Sequence, residues 1–165
     1  MADGIIGMVS KDSYKGLRKK LDDFLELNNL RKTEERYAIF DRICTFPSYF
    51  DIKQLYEQME FSNFHVSRAT LYNSIEIFIA SGLLVRHQFG SNTIFFELKL
   101  LADKHIYMIC TKCGSVMEAS RDSLDFNLAN LRFRRFTPES YNIYIYGLCS
   151  RCRYALRKKL SKEKY

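Results

Sequence analysis

The sequence predicts an α+β chain built as two small domains, and three observations carry this. Apolar residues recur at helical spacing up to about residue 82 and then give way to extended, β-branched and aromatic runs. Beyond residue 103 the elements shorten, and two Cys-x-x-Cys pairs bracket them. A length of 165 residues admits one ordinary domain or two small ones.

Residues 12–29 read as the first helix, with Leu17, Leu21, Phe24, Leu25 and Leu27 near helical spacing and Asn28-Asn29 as its stop. Lys15, Arg18, Lys19 and Lys20 crowd its first half. A second helix follows Thr33, which can cap it, while Glu34 and Glu35 suit its positive end. Tyr37, Phe40, Ile43 and Cys44 mark its buried stripe, and Pro47 is the expected terminator. The third helix runs from about Asp51 to Glu60, with Asp51 and Gln54 placed for a capping box. The fourth opens at Ser67 and closes near Gly82. One of its faces carries Leu71, Ile75, Phe78 and Ile79, and Ala69, Thr70, Asn73 and Glu76 lie towards the other, with Tyr72 at the border.

Leu83–Phe89 and Thr93–Leu98, joined by Gly90-Ser91-Asn92, then read as a hairpin. Three helices and a hairpin make the order of a winged helix-turn-helix, in which the polar-faced helix before the hairpin would enter a DNA major groove. The boundary falls near Lys99–Asp103. In the second half, Ile106–Cys110 and Val116–Ala119 look like strands, Leu124, Leu128 and Leu131 mark a helix, Tyr141–Tyr146 alternates as a strand, and Cys149–Lys162 reads as a basic helix.

Composition narrows the function. Hydrophobic residues at 47% and charged residues at 27% suit a chain that buries a core. No apolar run approaches the length of a membrane span, so a membrane partner is not expected. The first nine residues do not read as a secretion signal, so a cytoplasmic protein with reduced thiols is expected. Net charge is +7 but unevenly placed. Residues 1–98 hold 12 Lys+Arg against 13 Asp+Glu, a net of −1; residues 99–148 hold 7 against 5, a net of +2; residues 149–165 hold 7 against 1, a net of +6. The excess is therefore a C-terminal tail, and global charge alone does not establish DNA binding.

The strongest motif is Cys110-Thr111-Lys112-Cys113-Gly114 paired with Cys149-Ser150-Arg151-Cys152. Two intervening residues let both sulfurs of a pair reach one metal, and four thiolates in a tetrahedron suit Zn2+ in a closed, structural site. The 35 residues between the pairs (114–148) exceed the gap of an ordinary zinc ribbon, so a helix and a strand must lie between them. Four thiolates also suit an iron–sulfur cluster, and a redox Cys-x-x-Cys would favour one pair at a helix start where here there are two. Cys44, the fifth cysteine, sits on an apolar stripe as a small hydrophobe. His65, His87 and His105 form no His-x3-His pair, and no nucleophile triad or phosphate loop is present, so an enzyme is not expected.

At these residues the chain resembles the ferric uptake regulator family. Arg31-Lys32-Thr33-Glu34-Glu35-Arg36 is similar to the family's approach to its second helix, and Ser67-Arg68-Ala69-Thr70-Leu71-Tyr72-Asn73 to its recognition-helix motif Ala-Thr-Val-Tyr-Arg. Gly82-Leu83-Leu84-Val85-Arg86-His87 continues like its wing, and Cys110-x-x-Cys113-Gly114 with Tyr144-x-Tyr146-Gly147-x-Cys149 like its dimerisation domain. The match runs in order over residues 11–153. It implies a winged-helix DNA-binding domain over 1–98, a hinge over 99–103, and a dimerisation domain over 104–165 with a four-cysteine zinc site. It implies a homodimeric repressor of an inverted-repeat operator in double-stranded DNA, controlled by a metal ion. Arg68, Thr70, Tyr72 and Asn73 would then meet bases, Lys15 and Lys19 phosphate, and Cys110, Cys113, Cys149 and Cys152 would hold the zinc.

The family's regulatory site is expected to be degraded here. Glu97, His105 and Glu118 keep ligand positions for Fe2+ or Mn2+, but Tyr107 and Tyr49 stand where histidines would be, and Lys104, Ile106 and Tyr141 occupy ligand positions of a second site. Haem is an alternative effector, with His105, Tyr107 or Cys44 as axial ligands. A zinc-stabilised RNA-binding or protein-assembly module is the competing reading.

Overall fold

The computed structural model describes residues 9–62, 64–90, 93–121, 134–137 and 141–162. The chain divides into two compact units. Residues up to 88 and those from 92 to 101 belong to the first, and 89–91 with everything from 102 onward belong to the second.

The first unit holds four helices and a hairpin: α1 (Lys11–Leu27), α2 (Glu34–Ile43), α3 (Ile52–Phe61), α4 (Arg68–Ala80), β1 (Leu84–His87) and β2 (Phe95–Leu98), followed by the one-turn α5 (Lys99–Ala102). Polar side chains start each of the four long helices. Ser10, Thr33, Asp51 and Ser67 accept hydrogen bonds from the N–H groups of Ser13, Arg36, Gln54 and Thr70, occupying donors that a helix start leaves unpaired. Asp51 and Gln54 complete the capping box in both directions. Helix α1 ends at Asn28, with Asn29 in the left-handed region (φ 54°), and Gly82 takes that conformation (φ 65°) after α4. Helix α2 stops at Ile43 rather than running to Pro47, because Cys44, Thr45 and Phe46 turn back onto Phe40, Arg42 and Ile43 carbonyls.

One apolar core joins these elements. Leu21, Leu25, Ile39, Phe40, Ile43, Leu55, Leu71, Ile75 and Phe78 are all buried, and the Phe40 and Phe78 rings meet edge to face at 5.7 Å. Lys20 Nζ donates to the Gly82 carbonyl at 2.9 Å, placing a cation just past the C-terminus of α4, where the helix dipole favours it. Arg18 belongs to the scaffold: it donates to Asp41 at 2.9 Å beside the Tyr14 hydroxyl and lies 3.9 Å over the Tyr37 ring. The hairpin is antiparallel, pairing Leu84 with Leu98 and His87 with Phe95; β1 is shorter at both ends than the apolar run that announced it, and β2 starts two residues later than its run and ends with it at Leu98.

The second unit contains β3 (His105–Cys110), β4 (Val116–Ser120), β5 (Tyr144–Gly147) and α6 (Ser150–Lys162). Its sheet has the order β4-β3-β5, with β4 antiparallel and β5 parallel to the central strand. Strand β5 begins at Tyr144, three residues later than the alternation of 141–146 implied. The helix expected around Leu124, Leu128 and Leu131 lies outside the described residues. The segment 99–103 expected to act as a hinge includes α5, and the division between units falls after Leu101.

Two substitutions test this core. Phe78→Ala should lower the unfolding free energy of the first unit by about 3–5 kcal/mol, and Asp51→Ala by about 1 kcal/mol, both read from urea denaturation followed by circular dichroism.

Candidate metal centre and recognition face

The tight turn after β3 places Cys110 and Cys113 together, with Gly114 in the left-handed conformation (φ 70°) and its N–H returning to the Cys110 carbonyl at 2.8 Å. The parallel pairing of β5 with β3 brings Gly147 opposite Cys110, so the chain enters α6 beside that turn and delivers Cys149 and Cys152. The four sulfurs lie within 4.8 Å of one another, and among the described residues this is the one group of three or more potential ligands close enough to share an ion. Cys113 Sγ and Cys149 Sγ are 3.8 Å apart. A tetrahedron with Zn–S bonds of about 2.3 Å has edges of about 3.8 Å, so the spacing is that of ligands around zinc and far beyond a disulfide bond.

The environment favours thiolate at the first pair. The Cys149 N–H, 3.4 Å from Cys110 Sγ, leads the backbone donors that lower the Cys110 thiol to about 6. The Ser115 hydroxyl, 3.2 Å from Cys113 Sγ, lowers Cys113 as well. Cys152 is raised to about 12, chiefly because it shares a hydrogen bond with Cys149, and burial adds to this. Charge gathered on some sulfurs thus holds protons on another, and a divalent cation at the centre removes that conflict. The fit is to a closed structural zinc site held by all four cysteines.

Cys44 stands apart. It is buried at the end of α2, and burial pushes its thiol up to about 12, so it behaves as the small hydrophobe the sequence indicated.

The fourth helix separates core from surface by face. Leu71, Ser74, Ile75 and Phe78 are buried, whereas Arg68, Ala69, Tyr72, Asn73 and Glu76 are exposed and Thr70 is half-buried. Tyr72 exposes 51% of its surface. Arg68 lies 5.6 Å over the Tyr56 ring of α3, which orients it. Lys15 and Lys19 are exposed on α1. All six residues expected to touch DNA belong to the first unit.

The three residues expected at a regulatory metal are distributed differently. Glu97 is in the first unit, fully buried, with a carboxylate oxygen 3.1 Å from Nε2 of the equally buried His87. The sequence reading missed this pair. Its signal was the period of two: His87 faces Phe95 and Val85 faces Glu97 across the hairpin, which puts His87 and Glu97 diagonally on one face. His105 and Glu118 are in the second unit and line one open cleft of about 480 Å3 with Asp103, Lys104 and Arg121. Two cations there offset two carboxylates, and Arg121 is held by the Asp103 carbonyl at 3.1 Å and the Tyr141 ring at 4.2 Å. Tyr107 is fully buried, its ring 5.2 Å from Phe89 and 5.9 Å from Tyr144. Of the three donors considered for haem, Tyr107 and Cys44 are therefore buried and His105 is partly exposed.

The model of the ferric uptake regulator family matches residues 27–146. The chain is 29% identical over 136 residues to the ferric uptake regulation protein of Bordetella parapertussis, covering 80% of this chain and 97% of that one. It is 24% identical over 135 residues to the peroxide operon regulator of Bacillus subtilis, covering 81% and 92%. Its fold is similar to the structure of the ferric uptake regulator from Pseudomonas aeruginosa with manganese, with a TM-score of 0.61 and 25% identity over 78% of this chain and 97% of that one.

Purified protein should carry about one zinc per chain, and Cys152→Ser should lose it, as measured by metal analysis. Iodoacetamide should spare Cys44 in the native zinc-loaded protein and label it only after unfolding, as mass spectrometry of peptides would show.

Proposed function

We propose that this chain, which belongs to the ferric uptake regulator family, is a transcriptional repressor that binds an inverted-repeat operator in double-stranded DNA as a homodimer. The family is one of transcription regulators, and its named relatives regulate ferric uptake and peroxide operons. The observation that carries the reading is the exposed face of α4. A helix capped by Ser67 and followed directly by a hairpin presents Arg68, Tyr72 and Asn73 outward while Leu71, Ile75 and Phe78 do the packing. Core and contact duties are separated on one helix, which is what insertion into a major groove requires.

Residues 1–98 are assigned to DNA binding and 104–165 to dimerisation and zinc, with 99–103 between them as the hinge. Lys15 and Lys19 would neutralise phosphate, and Arg68, Thr70, Tyr72 and Asn73 would approach bases. Dimerisation is supported by the open edge of the sheet. Strand β5 pairs with β3 along one side only among the described residues, and it exposes Ile145 by 43% and Tyr146 by 57%. A two-fold dimer reads two copies of a half-site, hence the inverted repeat. Such work places the protein in the cytoplasm.

The effector is a metal ion or haem, and the response to ferrous iron is weak. His105 and Glu118 share a cleft with Lys104 and Arg121, and Glu97 is engaged by His87. An effector changes the balance between two arrangements only by its difference in affinity for them, and one imidazole with carboxylates offers Fe2+ little of that.

Two outcomes are expected. Selection from random duplex should return an inverted repeat, and Asn73→Ala should relax one base position, with about 1–3 kcal/mol of discrimination lost if the contact to adenine N6 and N7 is bidentate. Unchanged preference would exclude Asn73 as a reader, and selection of single-stranded RNA instead would favour an RNA-binding module. In anaerobic titrations read by fluorescence anisotropy, low-micromolar Fe2+ should change operator affinity little. A tight iron-dependent gain abolished by His105→Ala would restore the ordinary iron sensor.

A further inference from the structure

The unit that carries the recognition face has almost no net charge, which is unusual for a domain asked to hold a polyanion. Residues 1–98 sum to −1, with 12 Lys+Arg against 13 Asp+Glu, and the positive excess of the chain lies in residues 149–165, with 7 against 1. Affinity for duplex DNA comes largely from cations that replace condensed counterions on phosphates. A chain that binds DNA therefore has its main store of such cations on α6.

A basic surface helix is by default a solvated face, but α6 differs in three respects. The first is geometry. Projected at about 100° per residue, Arg153, Arg157, Tyr154, Lys158 and Arg151 share an arc of about 160°, centred opposite Cys152. Cys152 is buried at the zinc site, so the arc points away from the unit to which the helix is tied. Among the described side chains of α6, Cys152 is the one that is buried, and Tyr154 exposes 68% of its surface in the middle of the cations. The second respect is pairing. The only acidic residue from 149 onward is Glu163, and among the described residues Arg151, Arg153, Arg157 and Lys158 have no ion-pair partner. The third is anchorage. The zinc cysteines fix the first turn, so the cations are presented on an ordered helix instead of a loose tail.

We infer that the outward face of α6, built from Arg151, Arg153, Arg157 and Lys158 around Tyr154, is a second nucleic-acid contact that grips the phosphate backbone of duplex DNA without reading sequence. This rests on the DNA-binding reading above and adds a division of labour to it. The face of α4 discriminates between sequences, and α6 supplies affinity that is the same for every sequence and sensitive to salt. Arginine on three of the four positions suits phosphate, whose oxygens accept its paired N–H groups.

The test compares zinc-loaded wild type with the triple variant Arg153→Gln, Arg157→Gln, Lys158→Gln and with a charge-keeping variant carrying Arg153→Lys and Arg157→Lys. Anisotropy is measured on the selected operator and on random duplex across a KCl series, with zinc content and light scattering in parallel. The expected result is that the triple variant keeps its zinc and its dimer and still prefers the operator. Its plot of log affinity against log salt should flatten by about 0.9 for each phosphate no longer neutralised, with random duplex bound at least about tenfold more weakly at low salt. The charge-keeping variant should keep the wild-type slope. An unchanged slope in the triple variant, beside a wild type that binds the operator, overturns the inference and leaves the repressor reading standing. Conversion of the triple variant to a monomer assigns the face to a second copy of the chain and also overturns it. A wild type that binds no duplex overturns both readings.

Discussion

The second unit is arranged around four sulfurs placed to share one cation. Among the described residues that unit has three paired strands, of which the central one is well buried; β4 and β5 show most of their side chains to solvent. A domain this small buries a smaller fraction of its surface than a larger one, and a metal or a disulfide is a common staple for such domains. The staple here joins the turn after β3 to the first turn of α6, and so ties together residues about forty positions apart. Zinc binding is then part of the folding free energy of the unit. The exposed character of the other described side chains of α6 is consistent with this: a helix anchored through Cys149 and Cys152 leaves its surface open to cations.

The first unit is built the opposite way. Its four long helices begin with side-chain caps and enclose a core of aliphatic and aromatic residues. That leaves one face of α4 unconstrained by packing, where Arg68, Tyr72 and Asn73 stand. Most polar groups in this unit that lie under or against the core are matched, Arg36 Nε being a buried donor without a partner. Glu97 faces His87, Arg18 faces Asp41, and Lys20 closes the end of α4. Unpaired, each buried one would cost more than it contributes when matched.

Much of this was legible in the sequence because it rests on local rules. Thr33, Asp51 with Gln54, and Ser67 are cap signals with one physical meaning, and the structure uses each as such. The two Cys-x-x-Cys pairs state a ligand count and type, which is nearly a full description of a closed zinc site. What escaped depends on tertiary pairing. Nothing local says that α2 stops at Ile43, since Pro47 is the visible breaker and the turn at Cys44–Phe46 forms against the core. The pairing of His87 with Glu97 required the hairpin register, which the long apolar runs on either side of Gly90 do not define. The same applies to the Tyr107 ring, which packs against Phe89 and Tyr144, both distant from it in the sequence.

On this reading the metal holds the second unit together while the first stands on its own packing. Hydrogen exchange read by mass spectrometry, before and after zinc is removed by a chelator, tests it most directly. Loss of zinc should abolish amide protection over 105–110, 144–147 and 150–162 and leave protection over α1–α4 unchanged. Retention of protection in β3, β5 and α6 by the metal-free protein would show that the unit folds without the metal.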